Sequence, residues 1–180
     1  MQTPMLETGR LFMRPVLQND LDTAFREWFG DDEVAKYMFW QKHDCLEQTQ
    51  TWLDYEQSMV EADNWYRFIV CLKDNEKTIV GSVLLYIDEE ILDWEIAYHF
   101  GKKYWVMGYG TEAVRRVLEF AHQDLQIHRI AARYACANRA SGEVLKKTGF
   151  HKKHSIDYWI CDHHRKVPGE YCEWSVETDQ

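Results

Sequence analysis

The chain has 180 residues, of which 46% are hydrophobic and 14% aromatic, and this is enough to bury a substantial core. The composition excludes a disordered chain, and no apolar run is long enough to span a bilayer, so we expect a soluble protein without a membrane partner. The formal net charge is -9. It argues against a nucleic-acid partner, because phosphate binding requires an excess of clustered Lys and Arg.

No linker rich in Pro, Gly or Ser divides the sequence, so we expect one domain over residues 1–180. Residues 1–4 show no secretory signal, which predicts a cytoplasmic location. The five cysteines are widely spaced, and we expect reduced, mostly buried thiols. Residues 161–164 together with Cys172 contain Cys, Asp and His, but their spacing matches no standard zinc pattern, so no metal site is predicted.

The first sixty residues predict one strand and three helices. A strand covers Leu11–Val16, and Asn19 with Asp20 offers an N-cap for the helix that follows. A second helix is expected over Asp32–Met38 and a third from Cys45 or Leu46 to about Val60.

The apolar periodicity then changes from helical to strand-like. Two β-rich runs, residues 65–72 and 78–87, flank a polar turn and predict a hairpin, and a third strand follows over Ile91–Phe100. Beyond these, the pattern predicts a helix ending near Asp124, a strand at 127–135, a helix at 139–148, and strands at 150–160 and 171–176. The fold class is therefore α+β, with a mostly antiparallel central sheet and helices on its faces.

A glycine turn, Gly108-Tyr109-Gly110, lies between the third of these strands and an amphipathic helix. Glycine accepts positive φ, and a helix N-terminus offers free amide groups and a positive dipole end, so this arrangement suits a pyrophosphate. A dinucleotide fingerprint or a P-loop fits less well, because the acidic residue of the first and the Gly-Lys-Ser/Thr ending of the second are absent. A turn that merely caps a core helix accounts for the two glycines equally well.

Several separated motifs occur together in the order of one family. They are Glu95 to Tyr98, Trp105 to Ala113, Asn138 to Ser141, Lys147 to Phe150, and the opening segment Leu6 to Pro15. In this combination the chain resembles the GNAT superfamily of acetyl-CoA-dependent N-acetyltransferases, and most closely its ribosomal-protein (RimJ/RimL-type) branch. The resemblance implies a GNAT-like sheet and acetyl-CoA as co-substrate.

The resemblance also implies which residues bind the cofactor. Its pyrophosphate would be held by backbone amides of Val106, Met107, Gly108, Tyr109, Gly110 and Thr111, and Asn138 would contact the pantetheine arm or fix the next helix. Trp105 occupies a position where the family often has Gln or Arg, so a side-chain contact of that kind is absent.

Acetyl transfer requires a neutral amine, whereas a lysine amine has a pKa of about 10.4 and an α-amine about 8. Glu95 matches the position where family members often present a carboxylate, and His99 lies on the same face of the strand as a second candidate base. A backbone amide near Ala97 or Tyr98 is the expected oxyanion donor. Many members carry an acidic tyrosine where this chain has Leu145, so Ser141 is predicted to protonate the leaving thiolate instead.

Substrate selection is expected from the first helices, where the aromatic and imidazole residues Trp28, Tyr37, Trp40 and His43 lie near the acidic residues 31–33. The alternative is that most of these aromatic side chains pack in the hydrophobic core. The sequence thus favours an N-acetyltransferase acting on a protein N-terminus or a small amine such as a polyamine. A catalytically silent acyl-CoA-binding module is the alternative, and a homodimer is a possible assembly.

Overall fold

The computed structural model describes residues 2–161 and 164–176 of the chain. Their strands form one eight-stranded sheet in the order β1-β2-β3-β4-β5-β6-β8-β7. The strands are β1 (Leu6–Glu7), β2 (Leu11–Arg14), β3 (Trp65–Leu72), β4 (Asn75–Asp88), β5 (Asp93–Phe100), β6 (Arg129–Ala135), β7 (His151–Ile160) and β8 (Arg165–Ser175). Neighbouring strands are antiparallel except β5 and β6, which run parallel. The predicted α+β class with a mostly antiparallel sheet is confirmed.

The helices lie between these strands. They are α1 (Leu21–Ala24), α2 (Asp32–Ala35), α3 (Leu46–Ser58), α4 (Tyr109–Gln123) and α5 (Arg139–Lys147). A π-helical turn over Phe25–Phe29 continues α1. The third, fourth and fifth helices agree closely with the sequence prediction.

The first helical region differs from the prediction. The carboxylate of Asp20 does not cap α1; it pairs with Arg14 at 2.7 and 2.8 Å and accepts from the amide of Leu17. The second helix ends at Ala35 rather than Met38. Asp20 is 2% exposed, and a buried ion partner stabilises its anion more than a surface cap would. Arg14 is only six residues away, but a helix pattern does not indicate such a pair.

The last strand pair is also longer than predicted. β8 begins at Arg165 rather than at Tyr171. Its first half pairs with the exposed edge strand β7, so polar residues are tolerated on both strands and the usual alternation of apolar residues is missing.

Apolar side chains cover both faces of the sheet. The stripe Ala113, Val114, Val117, Leu118 and Ala121 of α4 is buried against one face, as its helical spacing predicted. On the other face, a smaller cluster from the first three helices includes Trp28, Phe29 and Leu53. The parallel pair β5–β6 therefore lies in the middle of the molecule, with helices on both sides.

All five cysteines are free, but only Cys71 and Cys172 are buried, so the prediction of mostly buried thiols was wrong. Asp162 and His163 of the segment weighed as a metal site lie outside the described residues. Within the described ranges, no three His, Cys, Asp or Glu side chains come together as a metal site. In the same ranges, no helix is both long and apolar enough to cross a membrane.

Candidate active site

The glycine turn forms the N-terminus of α4. Gly108 is the N-cap residue with φ of 82°, a conformation that glycine adopts without strain, and Val106 also has a positive φ of 57°. The helix runs for 15 residues from Tyr109, so its first amides have no intrahelical acceptor. Val106, Met107 and Gly108 are exposed. The turn thus presents free N–H groups and a helix dipole to one place on the surface.

A side-chain network from the start of the chain holds this turn. Glu112 accepts from the Thr8 hydroxyl at 2.6 Å and from the Arg10 Nε at 2.7 Å, and the Arg10 amide donates to the same carboxylate at 3.0 Å. Arg10 also donates to the Met107 carbonyl at 3.0 Å. The β1–β2 turn is therefore bonded to both sides of Gly108, and this fixes the direction of the exposed amides.

A groove of about 660 Å³ opens beside the turn. Its cationic side chains are Arg10, Arg115, Arg116 and Lys147, and its acidic side chains are Glu7, Glu112 and Glu119. Since Glu112 is already paired with Arg10, the side of the groove formed by Arg115 and Lys147 offers positive charge next to the helix N-terminus.

Trp105 has a structural partner at the position where the family often has Gln or Arg. Its indole Nε1 donates to the Phe100 carbonyl at 2.7 Å, which ties the glycine loop to the end of β5. Because the indole N–H is used in this bond, the backbone amides are the main hydrogen-bond donors that the loop offers.

Strands β5 and β6 separate after a single paired position, Glu95 with Ala131. The opposite edge of β5 pairs with β4 over its whole length, and the Gly101 amide bonds to the Val80 carbonyl at 3.0 Å in the same register. Because hydrogen-bonded positions alternate along an antiparallel strand, the amide of Tyr98 points to the opening between β5 and β6, and that of Ala97 points to β4.

Glu95 lies at the point where these strands separate. It is 4% exposed and accepts from Arg133 Nε at 2.9 Å and Nη2 at 2.7 Å, and from the Tyr86 hydroxyl at 3.0 Å. Arg133 also pairs with Asp88 and Glu90. Burial raises the pKa of Glu95 above its usual value, while Arg133 opposes that rise. These ion pairs connect β5 to β6 next to the opening.

Ser141 faces β5 across this opening. Its hydroxyl lies 3.0 Å from the Tyr98 hydroxyl, which also bonds to the Ser141 carbonyl at 2.9 Å. The Asn138 side chain accepts from the Ser141 amide at 3.2 Å and caps α5, in agreement with its predicted role of fixing this helix. Leu145 is 2% exposed and packs in the core. A hydroxyl pair is therefore present although the usual tyrosine is absent.

A second cavity of about 220 Å³ lies on the other face of β5. Side chains at helical spacing on α3 and alternate residues of β3 and β4 converge on it, together with three consecutive residues of β5. We call it the aromatic cavity; it is lined by Phe29, Met38, Phe39, Trp40, His43, Trp52, Tyr55, Glu56, Trp65, Arg67, Leu84, Tyr86, Ala97, Tyr98 and His99. Tyr98 reaches both this cavity and Ser141, so it joins the two faces of the site.

His99 lines this cavity as a neutral ring. It is 7% exposed, and its Nε2 atom has no hydrogen-bond partner among the described residues. Burial, with a smaller contribution from Arg67, lowers its pKa to about 3. The imidazole therefore accepts a proton poorly at neutral pH.

The structure separates the four residues predicted to bind substrate. Trp40 and His43 line the aromatic cavity, and His43 stacks on Phe29 with ring centroids 4.5 Å apart. Trp28 is fully buried behind His99, at a centroid distance of 4.9 Å. Tyr37 lies outside the cavity lining, and its carbonyl accepts from Tyr158.

The acidic residues expected beside these aromatic side chains have structural partners. Asp31 caps α2 through the amides of Glu33 and Val34, and Asp32 pairs with Lys42 at 2.6 Å. Neither residue lines the aromatic cavity, whose carboxylate comes instead from Glu56 on α3.

Comparison with known proteins identifies the family. Residues 10–151 match the model of the acetyltransferase (GNAT) domain. The chain belongs to the GNAT acetyltransferase family. The probable N-acetyltransferase YjcK of Bacillus subtilis (strain 168) is 34% identical over 157 residues, covering 83% of this chain and 84% of that protein. The GNAT chain is accordingly an N-acetyltransferase, as the sequence motifs predicted.

Solved GNAT structures share its fold. An acetyltransferase from Bacillus anthracis has a TM-score of 0.80 at 23% identity and covers 96% of this chain and 98% of its own. Mycobacterium smegmatis RimJ in complex with CoA-disulfide has a TM-score of 0.82 at 17% identity, with 97% of this chain and 88% of the other covered. The predicted GNAT fold is confirmed.

Sequence reasoning missed several polar residues of this GNAT site. Thr8, Arg10 and Glu112 come together from positions about a hundred residues apart, and Arg133 meets Glu95 across the β5–β6 pair. The polar and charged residues are visible in the sequence. The sequence does not show which of them come into contact, because they lie on elements that are far apart along the chain.

Proposed function

We propose that this GNAT enzyme transfers the acetyl group of acetyl-CoA to a primary amine by direct attack. The observation that carries the proposal is the early separation of β5 and β6, which are paired only at Glu95 and Ala131. The opening lies between the exposed amides of the glycine turn and the aromatic cavity. An extended co-substrate can therefore lie with its phosphates at one end and its reactive group at the other.

The cofactor end fits a pyrophosphate in its chemistry. The amides from Val106 to Thr111 offer backbone donors at the start of a 15-residue helix, a favourable place for phosphate oxygens. We assign Arg115 and Lys147, in the adjacent groove, to the phosphate of the adenosine part. Acetyl-CoA would supply the thioester carbonyl, and the residues of this chain provide its positioning and the proton transfers.

The oxyanion donor in this proposal is the amide of Tyr98. It points to the opening between the strands, because the alternating hydrogen bonds of β5 direct the amide of Ala97 to β4. A fixed backbone donor costs no reorganisation when negative charge develops on the carbonyl oxygen.

The favoured base is Glu95, acting through Tyr86. Tyr86 lines the aromatic cavity and donates its hydroxyl hydrogen to Glu95 at 3.0 Å. Its oxygen can accept a proton from the amine as its own proton passes to the carboxylate. His99 is the weaker candidate, because its pKa of about 3 makes it a poor base at neutral pH.

The favoured acid is Ser141, supported by Tyr98. The Tyr98 hydroxyl has one hydrogen and two possible acceptors in Ser141, the carbonyl and the hydroxyl oxygen. When Tyr98 donates to one of them, Ser141 can exchange its proton with the phenol or give it to the leaving sulfur. In the overall reaction an N–C bond forms, the C–S bond breaks, and the proton lost by the amine balances the proton gained by the thiolate.

The deciding experiment incubates the purified protein with acetyl-CoA and a panel of primary amines and measures free thiol and acetylated product. Amine-dependent thiol release in a 1:1 ratio with product is expected. Binding of acetyl-CoA in calorimetry without turnover on any amine would favour the silent acyl-CoA-binding module instead. No binding of acetyl-CoA would remove the cofactor assignment as well.

A further inference from the structure

The charges in the aromatic cavity decide which amines fit it. Among the described lining residues, the carboxylate is Glu56 and the guanidinium is Arg67. Both are deeply buried, with side-chain exposures of 1% and 11%, and they pair at 2.6 Å. They form a neutral pair on one wall of the cavity.

The protein itself occupies the acceptor oxygens of Glu56. Oε1 accepts from Arg67 Nε at 3.0 Å, from Arg67 Nη2 at 2.6 Å and from Trp52 Nε1 at 3.1 Å. Oε2 accepts from Trp65 Nε1 at 2.8 Å. Oε1 is saturated by three donors, so a substrate ammonium could approach only the one remaining acceptor site on Oε2, beside the Trp65 indole.

The positive charge of Arg67 adds a penalty for a second cation. The same charge, after the larger effect of burial, helps to lower the pKa of His99. An acceptor with an ammonium at each end would place the distal charge in a desolvated cavity beside this guanidinium, where the charge of the lining carboxylate is already paired with Arg67. Burying an unpaired charge in that way is costly.

The remaining surface of the cavity is mostly aromatic, and its rings are packed against one another. Trp65 packs edge-on against Tyr86 and Tyr55, with centroid distances of 5.3 and 5.5 Å, and Trp40 packs against Phe29 at 4.7 Å. The volume of about 220 Å³ exceeds that of an apolar cavity known to bind benzene, roughly 150 Å³. One aromatic ring with a short alkyl chain fits this space.

The position of Tyr98 gives the orientation of such an acceptor. Tyr98 and Ala97 form the wall next to the β5–β6 opening, and Trp52, Trp65 and Glu56 form the part supplied by α3 and β3. An amine directed at Tyr98 therefore leaves its apolar body among the tryptophans.

We propose that the preferred acceptor is a monocationic primary amine whose body is an aromatic ring, and that polyamines are poor acceptors. This inference rests on the proposed function. Free arylalkylamines and peptides with an aromatic N-terminal residue both contain a primary amine next to an aromatic body, so the test includes both kinds of acceptor.

The test compares acceptors at a fixed, saturating concentration of acetyl-CoA. The probes are 2-phenylethylamine, a peptide with N-terminal Phe, the same peptide with N-terminal Ala, and the diamine 1,5-pentanediamine. We expect kcat/KM for the better of the two aromatic acceptors to exceed that for the diamine at least tenfold. A diamine or an Ala peptide that reacts as well as both aromatic acceptors would overturn the inference.

A variant links the preference to the cavity. Trp40→Ala should lower kcat/KM for the preferred aromatic acceptor about tenfold and lower the value for the diamine by a clearly smaller factor. Trp159→Ala is the matched control, because Trp159 is 44% exposed and lies outside the cavity lining. Equal effects of Trp40→Ala on both acceptor classes would contradict the assignment.

A binding measurement separates the failure of this inference from failure of the proposed function. The melting temperature is recorded with each amine in the absence of acetyl-CoA. Stabilisation by 2-phenylethylamine or the Phe peptide but not by the diamine, without turnover, would support the aromatic site and refute acetyl transfer. Turnover that is fastest with the diamine would do the reverse.

Discussion

The glycine turn and the aromatic cavity, at the two ends of the site, are built in different ways. The turn offers backbone amides of consecutive residues, and its side-chain partners Thr8, Arg10 and Glu112 support that backbone from behind. The cavity offers side chains from α3, β3, β4 and β5 and from the loop that contains Trp40. Backbone recognition at the turn suits a constant cofactor, whereas side-chain recognition at the cavity can vary with the acceptor. Five predictions test this difference.

The largest effect is expected from Gly110→Asp at the turn. A Cβ at this position faces the apolar side chains of Phe100 and Val144, so the new carboxylate would be poorly solvated and would lie next to the amides assigned to the pyrophosphate. Acetyl-CoA binding should weaken more than about a hundredfold, because the buried charge is costly and repels the phosphates. Calorimetry with acetyl-CoA measures it.

Gly110→Ala is the control for bulk. A Cβ at this position meets Phe100 at 3.4 Å and Val144 at 3.5 Å, which are close but tolerable contacts. This variant should retain binding within a few-fold. Equal losses in both variants would mean that space, and not charge, explains the result.

On the cavity side, Glu95→Gln should lower kcat/KM about a hundredfold near neutral pH, the usual order for loss of a general base. The base acts in its ionised form, and burial raises the pKa of Glu95. The activity of the wild type should therefore rise with pH through that raised pKa, and the variant should lack this acid limb. A pH profile of kcat/KM that is unchanged in shape would exclude Glu95 as the base.

His99→Gln is the companion variant for the second candidate base. Because the ring is already neutral, its replacement should leave the acid limb of the pH profile in place even if the rate falls through altered packing. Loss of the limb in this variant alone would reverse the ranking of the two candidates.

Glu56→Gln tests whether the cavity wall is a paired unit. The variant leaves Arg67 buried without a negative partner, and the free energy of unfolding should fall by about 3 kcal/mol. Denaturant unfolding gives this value. Glu47→Gln, on the exposed side of the same helix, should change it by less than about 0.5 kcal/mol. Similar changes in both variants would show that pairing Glu56 with Arg67 contributes little to the stability of the fold.

Ser141→Ala should lower kcat about tenfold and leave the KM values nearly unchanged, because the hydroxyl is assigned to proton transfer and not to binding. Tyr98→Phe should have a similar effect, and the double variant should be little worse than either one. Fully additive losses would show that the two hydroxyls do not act as a unit.

The smallest effect is expected from Glu112→Gln behind the glycine turn. Burial tends to raise the pKa of Glu112, but hydrogen bonds from Thr8 and Arg10, with the charge of Arg10, bring it below its ordinary value of 4.5. A lowered carboxyl pKa stabilises the fold above the unfolded-state value, and the benefit disappears as the pH falls through the folded-state value. The stability difference between wild type and variant should be about 1 kcal/mol at neutral pH and shrink below about pH 4.5. A difference that does not change with pH would contradict the charge argument.

Much of the fold could be predicted because its signals are local. The periodicity of α4, the switch to strand patterns after residue 64, and the glycine turn at the start of α4 depend on residues only a few positions apart. The weakest predictions concern segments held by ion pairing or strand pairing, because these contacts leave no apolar periodicity in the sequence. Asp20 pairs with Arg14 instead of capping a helix, and the polar start of β8 is ordered by pairing with β7.

The sequence by itself determined the family, the glycine turn and the candidate residues Glu95, His99 and Ser141, since motifs and spacing carry that information. Only the tertiary structure decided what surrounds these residues. It gave Glu95 the partner Arg133, made His99 neutral by burial, brought Tyr98 to Ser141, and neutralised Glu56 with Arg67. The physical reason is that burial and charge pairing depend on which distant elements pack together, and a one-dimensional pattern does not contain those distances.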